Sequence, residues 1–380
     1  MGRKLFSVLM ILALLAVIPL AVNAQDATET PEASMSATSI DKICLVTDVG
    51  KINDGTFNQF AYEGFSKAAT DFGLDSTYIE TQAQTDYANN INTCLSEGYQ
   101  AIVTVGFLIS DATHAAAAAN PNVYFIGVDQ DFSGNPLPNL VGIQYREDQA
   151  GFLVGAMAAL MSKSGTVAGV YGINVPAVVR YRNGFEQGAK YVNPNIKTLG
   201  VYIDSFSAPD RGATAAEQFI GEGADVIFGA GGPTGDGGIK YAASKGVLVI
   251  GVDQDEYGTT FGNGSTSGAQ YLITSAMKRV DVGVYNMIQA LVNGTGWLGG
   301  GNYILSLENQ GIDFAPAHDA AVPQDVEDKV NAIKADLLSG AISTGVDPTT
   351  GNLIGAPATE VVVETAEPAA AATPAATAAS

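Results

Sequence analysis

The feature that most constrains the fold is a pentapeptide that occurs twice. Gly127-Val-Asp-Gln-Asp131 returns as Gly251-Val-Asp-Gln-Asp255, 124 positions later. Each copy follows a short apolar run, VYFI before the first and VLVI before the second. Each also lies at a similar distance from an earlier apolar run: 26 residues from Ala101 to Gly127, and 27 from Ala224 to Gly251. A single coincident pentapeptide carries little weight. With matching flanks it argues for two similar lobes.

The flanking pattern gives those lobes their class. Ile43–Thr47, Thr77–Glu80, Ala101–Val105 and Val123–Val128 read as strands, separated by helices over Phe57–Phe72, Tyr87–Glu97 and Ser110–Ala119. The pattern repeats with strands at Thr166–Tyr171, Thr198–Asp204, Asp225–Phe228 and Val247–Val252, and with helices over Val178–Val192, Arg211–Glu222 and Ile239–Ser244. Strand–helix alternation with short turns implies right-handed βαβ units and parallel sheets covered on both faces. The expected class is α/β, with two doubly wound, Rossmann-like lobes. Beyond the second pentapeptide, Tyr271–Asn293 reads as one long helix, followed by a strand at Tyr303–Leu307 and a helix at Val326–Leu338. The chain therefore crosses between lobes more than once. The expected division is 41–145 plus 256–305 for the first lobe and 146–255 plus 306–345 for the second. Ligands of doubly wound sheets sit beyond the carboxyl ends of the strands. Both pentapeptides lie there, so Asp129 and Asp253 are expected to face a cleft between the lobes.

The ends of the 380-residue chain read differently. Arg3 and Lys4, then the apolar run Leu5–Val22, then Val22-Asn-Ala24 fit a signal peptide cut after Ala24. A retained membrane anchor is the alternative, because eighteen residues approach the roughly 20 that span a bilayer. Either way the body is expected outside the cytoplasmic membrane, in a periplasm or at the cell surface. No Cys follows the apolar run, so a lipid-modified N-terminus is not expected. Residues 25–40 read as a flexible leader, and 346–380, Ala/Thr/Pro-rich from 356, as a disordered tail.

Charge then narrows function. Against 18 Lys+Arg stand 39 Asp+Glu, a formal charge of −21. That excludes a basic stripe for a nucleic acid polymer. Neither Gly-rich loop binds phosphate by a known fingerprint. In 47–58, Thr56 stands where the phosphate Lys of a P-loop belongs, and 229–238 fails G-x-G-x-x-G. The first loop instead offers Asp48, Asn53, Asp54 and Asn58 with the ring of Phe57, a set suited to a neutral, flat, hydroxylated ligand. Helix capping by Asp54 or Thr56 is the plainer reading of part of that set. The paired D-x-D motifs lack an EF-hand frame, so no metal is expected. His114 and His318 lack any catalytic context, so no catalytic residue and no cofactor are expected. Cys44 and Cys94 fall on facing elements, as a disulfide or as two buried thiols.

Several segments together resemble the basic membrane protein family of type I ABC-transporter substrate-binding proteins, in its purine nucleoside receptor branch. They are TDVGKINDGTFNQFAYEGF (47–65), FIGVDQD (125–131), GFLVGAMAALMSKSGTVAGVYG (151–172), NGFEQGAKYVNP (183–194), GADVIFGAGGPTGDGG (223–238), VIGVDQDEYG (249–258) and ITSAMKRVDVGVYNMI (273–288). The resemblance implies the periplasmic-binding-protein type I fold: two lobes on a three-segment hinge, closing on one nucleoside. It implies that Asp48 bonds the base and Phe57 stacks on it. Asp129, Asp253 and Lys278 would hold the ribose hydroxyls, with Lys278 keeping both carboxylates ionised. Phe206 or Phe228 would be the second stacking ring, and Gly232 would bring its backbone to the ligand. It also implies an ABC permease as partner, and a monomer that does no chemistry on its ligand. A sugar-binding protein of the same fold is the nearest alternative; a secreted nucleosidase-type hydrolase or a ligand-sensing module is more distant.

Overall fold

The computed structural model describes residues 40–355. The expected signal peptide, the leader up to residue 39 and the tail from residue 356 lie outside the described residues.

The first lobe runs β1 (Lys42–Val49), α1 (Phe57–Phe72), β2 (Asp75–Thr81), α2 (Tyr87–Ser96), β3 (Ala101–Val105), α3 (Ser110–Ala119), β4 (Tyr124–Val128) and β5 (Leu140–Tyr145). The chain then enters the second lobe with α4 (Glu147–Met161), β6 (Thr166–Tyr171), α5 (Pro176–Val192), β7 (Lys197–Tyr202) and α6 (Pro209–Gly221). That lobe continues through β8 (Val226–Ala230), α7 (Pro233–Ser244), β9 (Leu248–Asp253) and β10 (Leu272–Lys278). It returns to the first lobe with α8 (Val280–Asn293) and β11 (Asn302–Leu305), and ends in the second with β12 (Ile312–Phe314) and α9 (Gln324–Ser339).

Two six-stranded sheets result, ordered β11-β5-β4-β3-β1-β2 and β12-β10-β9-β8-β6-β7. All pairings are parallel except β10 with β12. The twofold strand–helix pattern is thus realised, and β4 and β9 carry the repeated pentapeptide at equivalent ends.

Three expectations need correction. Tyr271–Asn293 is not one helix: β10 fills its first third, and α8 starts after a break at Arg279. Strand β10 is buried on both faces, so its apolar residues run without the alternation that marks a half-exposed strand. Because β10 pairs with β9, residues up to 278 belong to the second sheet, not the first. The middle crossing therefore falls at 278–280 rather than at 255–256. Finally, residues 346–355 are not tail. Val346 bridges Leu353, and the segment lies against α5. Helix α4 and strand β5, which show no periodicity, are buried almost throughout.

The crossings carry a second repeat. Arg146 pairs with Asp148 through Nε–Oδ1 and Nη2–Oδ2, both 2.8 Å. Arg279 pairs with Asp281 in the same way at 2.9 and 2.8 Å. Each Arg-x-Asp opens the helix that follows a crossing. The Arg146 amide donates to Leu305 O, and the Arg279 amide to Gly311 O, both at 2.9 Å, so all three crossings lie side by side. The helices they open are held close by equivalent glycines. A Cβ on Gly64 of α1 would fall 2.2 Å from Asp281 O, and one on Gly184 of α5 would fall 2.3 Å from Asp148 O. Only glycine allows that approach.

Sγ of Cys44 and Sγ of Cys94 are bonded, joining β1 to α2. Among the described residues no helix is long and apolar enough to cross a membrane.

Candidate functional site

A cleft of about 360 Å³ opens between the carboxyl ends of the two sheets. That volume falls in the range of small-molecule sites. Asp48 at the end of β1, Asn53 and Asp54 in the β1–α1 loop, and Phe57 and Asn58 at the start of α1 line it. Asp129, Phe206, Gly232, Asp253 and Lys278 complete the set brought together from the sequence. Phe228 is not among them. It is fully buried in the second lobe, against Tyr171, Tyr181 and Phe185, and the rings that line the cleft from that lobe are Phe206 and Tyr181.

The two pentapeptides place their aspartates by an unusual backbone. Asp129 has φ 60° and Asp253 φ 62°. Non-glycine residues seldom adopt this left-handed region, and such strain gathers at functional sites. The conformation turns each carboxylate off the end of its strand and into the cleft.

Polar atoms in the cleft divide into spent and available ones. Asp54 caps α1: it accepts from the amides of Thr56, Asn58 and Gln59 at 3.0–3.1 Å and from Asn58 Nδ2 at 3.0 Å. Asn58 Oδ1 in turn accepts from the Asp48 amide. These two residues shape the loop, as capping predicts. Asp48 Oδ1 accepts from the Tyr87 hydroxyl and, at 2.6 Å, from the Val49 amide. Burial outweighs those bonds and pushes Asp48 up to about 6.

Lys278 sits at the centre. Its Nζ lies 2.7 Å from Asp129 Oδ2 and 2.8 Å from Glu147 Oε1, with the rings of Tyr145 and Phe57 4.7 and 5.0 Å away. Burial lowers the lysine's affinity for its proton, but Asp129, Glu147 and Asp253 outweigh burial, and the ammonium is held well above its ordinary range. Asp129 Oδ1 is buried without a hydrogen-bond partner among the described residues. Asp253 Oδ1 accepts from Tyr181 at 3.1 Å. The expectation that Lys278 keeps both carboxylates ionised fails for Asp253. Burial exceeds the lysine's pull and raises it to about 7. Asp129 is also pushed up by burial, with Lys278 opposing.

Residues in and behind the cleft that were not singled out in the sequence include Phe107, Tyr181, Tyr87, Tyr145, Glu147 and Arg180. Only the flanks of Glu147, Arg146 and Asp148, carry a signal, because Arg-x-Asp recurs at 146–148 and 279–281 and marks both crossings. Among the described residues no group of three or more His, Cys, Asp or Glu is arranged to hold a metal.

Comparison with known proteins gives this architecture its family. The profile of the Bmp family, described as ABC transporter substrate-binding protein PnrA-like, matches residues 42–344. The chain belongs to this family. It is 31% identical over 322 residues to a CD4+ T-cell-stimulating antigen of Listeria monocytogenes, covering 80% of this chain and 88% of that one. It is 29% identical, with the same coverage, to the ABC transporter nucleoside-binding protein BmpA of Lactococcus lactis. Among solved structures, an ABC transporter solute-binding protein from Aeropyrum pernix superposes with a TM-score of 0.69 at 25% identity, over 80% of this chain and 92% of that one. The fold of this Bmp-family chain is that of type I periplasmic binding proteins, two α/β lobes about a three-stranded crossing.

Proposed function

We propose that this protein binds a purine nucleoside between its lobes, outside the cytoplasmic membrane, and presents it unchanged to an ABC permease as a monomer. The observation that carries the reading is Asp129 Oδ1, a buried carboxylate oxygen without a hydrogen-bond partner among the described residues, beside Lys278 and opposite Asp253. A buried acceptor left unbonded is costly. A pair of carboxylates with an ammonium suits vicinal hydroxyls, since carboxylates accept and the ammonium donates. Phe57 and Phe206 offer faces for a flat base, and stacking contributes on the order of 1–3 kcal/mol per base. Asp48 reads the base edge. The Lactococcus relative, named as nucleoside-binding, supports the same ligand class. The carboxylates outnumber the cations in the cleft, which disfavours a phosphorylated ligand.

Calorimetry of the purified protein with nucleosides, free bases, pentoses and hexoses tests this, followed by chromatography of the recovered ligand. Tight binding of intact adenosine, guanosine or inosine is expected. Binding of sugars without nucleosides would replace the reading with a sugar-binding one, and recovery of free base would make the protein a nucleosidase.

A further inference from the structure

Behind Lys278 a buried ionic chain leads away from the cleft to the C-terminal segment. Glu147 Oε1 takes the lysine ammonium at 2.8 Å, and Glu147 Oε2 takes Nε of Arg180. Arg180 Nη1 then donates to two main-chain carbonyls, Thr349 O at 2.9 Å and Pro348 O at 3.3 Å. Glu147, Arg180 and Lys278 are each no more than 2% exposed. The carbonyls belong to a strap, residues 346–355, that folds back on α5. Its bridge runs from Val346 to Leu353, its turn is closed by Asp347, and Asn183 Nδ2 of α5 donates to Gly351 O at 2.6 Å. The profile of the family ends at residue 344, so the strap lies beyond the matched span.

We propose that the strap and Arg180 are positioning elements for ligand binding, which hold Glu147 and through it the ammonium of Lys278 at the ribose end of the cleft. The inference rests on the nucleoside reading of that cleft. An ammonium has three donors. Asp129 Oδ2 takes one of them in a hydrogen bond and Glu147 Oε1 draws the ammonium as an ion pair, which together set where the remaining donors point. Fixing that direction requires Glu147 to be fixed. Glu147 emerges at a crossing, where the backbone is committed to the helix behind it, and its other oxygen is held by Arg180. Without the strap Nη1 would lose both its acceptors and Nη2 would keep only Gln144 Oε1 at 3.5 Å, so the guanidinium would turn toward other acceptors, because a buried donor without a partner is costly. The strap carbonyls prevent this.

The charges agree. Burial raises the Glu147 carboxyl, but Arg180 and Lys278 outweigh it and hold the group below its ordinary range. It is therefore a permanent anion and a fixed anchor, unlike Asp253. The two cations face three buried carboxylates, Asp129, Glu147 and Asp253, so Lys278 has competing partners. Without the fixed Glu147 it would collapse toward the cleft aspartates and occupy the oxygens a ligand needs.

The test is Gly351→Val in the full chain. Gly351 has φ +80°, and a Cβ there would fall 2.8 Å from the Arg180 amide nitrogen and 3.0 Å from Pro176 O, so the strap must lift. Gly98→Ala, equally strained at φ +77° but in open space in the first lobe, controls for general destabilisation. Expected is a roughly tenfold rise in nucleoside Kd for Gly351→Val, about 1.4 kcal/mol, with the control unchanged. A second readout needs no ligand. The Nζ signal of Lys278 in 15N NMR, assigned by its loss in Lys278→Arg, is expected to show slow proton exchange in the native chain and fast exchange in Gly351→Val. If Gly351→Val does not fold, Asn183→Ala removes a single strap bond and is expected to shift both readouts in the same direction. Unchanged Kd and unchanged ammonium exchange in a folded variant overturn the proposal, as does a loss of Tm without either change. If the native chain binds no nucleoside, the functional reading fails, and ammonium exchange alone decides the positioning role.

Discussion

Replacing Asp253 with alanine tests the ribose clamp most directly. Asp253 Oδ1 is committed to the Tyr181 hydroxyl, which leaves the other oxygen for a ligand. A hydrogen bond to a charged group contributes about 1.5–3 kcal/mol, and a neutral one about 0.5–1.5 kcal/mol. Because burial raises Asp253 to about 7, the group is mostly ionised at pH 8 and mostly protonated at pH 6. Asp253→Ala should therefore weaken a ribonucleoside by about 10–150-fold at pH 8, and only about 2–10-fold at pH 6. The free base makes no ribose contact and should lose nothing at either pH. Four titrations by calorimetry, nucleoside and base at each pH, measure all of this. Equal losses for nucleoside and base would refute the clamp. A loss independent of pH would refute the assignment of the titrating group to Asp253.

Other consequences follow from the same geometry. Tyr87→Phe removes the side-chain bond that lowers Asp48, so Asp48 should titrate above its native value of about 6; base affinity measured from pH 5 to 8 should then fall at a higher pH than in the native chain. The raised carboxyls of Asp253 and Asp236, both about 7, bind protons in the folded state that the unfolded chain has released by about pH 4. Their contribution to stability is full below about pH 4 and lost as pH rises through about 7, so denaturant midpoints of the ligand-free protein should shift down across that window, and less so in Asp253→Asn. Breaking the Cys44–Cys94 link, which spans 50 residues, should cost about 4 kcal/mol in the chain-entropy account, read as a reductant-dependent loss of stability. A nucleoside 5′-monophosphate should bind at least tenfold more weakly than its nucleoside, and high salt should narrow the gap.

Legibility in the sequence followed burial. Elements with one face exposed, such as α1 with its apolar spacing from Phe57 to Phe72, announce themselves. Strand β10 and helix α4 are enclosed on all sides, so their residues show composition without period, and β10 merged with α8 in the reading. That one merger displaced the middle crossing by some two dozen residues. In the site, residues on the strand-end loops were legible because loops carry polar side chains with few structural reasons to be there. Tyr181 and Arg180 sit inside α5, and only the packing of α5 against the second sheet and against α4 brings them to Asp253 and Glu147. No spacing along the chain records that meeting. Phe228 shows the converse: an aromatic read as a strand end that lies in the middle of β8, where the core takes it for itself.

The repeat makes the site, and its departures from symmetry decide how a ligand lies in it. Two equivalent lobes present two equivalent aspartates, at φ 60° and 62°. Strict symmetry would offer a ligand two indistinguishable ends. The chain breaks it at each copy. Asp129 is paired with an ammonium, Asp253 with a phenol hydroxyl. Gln130 Nε2 turns inward to Gly106 O at 2.9 Å, whereas Gln254 Nε2 reaches across to Thr56 O of the first lobe at 3.0 Å. Asp129 has the ammonium beside it, while Asp253, without a cation of its own, keeps its proton to about 7. On the nucleoside reading, an acceptor paired with an ammonium and one paired with a phenol hydroxyl distinguish two neighbouring hydroxyls of one ring. On the nucleoside reading the base runs toward Asp48 and the rings of Phe57 and Phe206, because the wall behind Lys278, toward Glu147, is closed by buried charge.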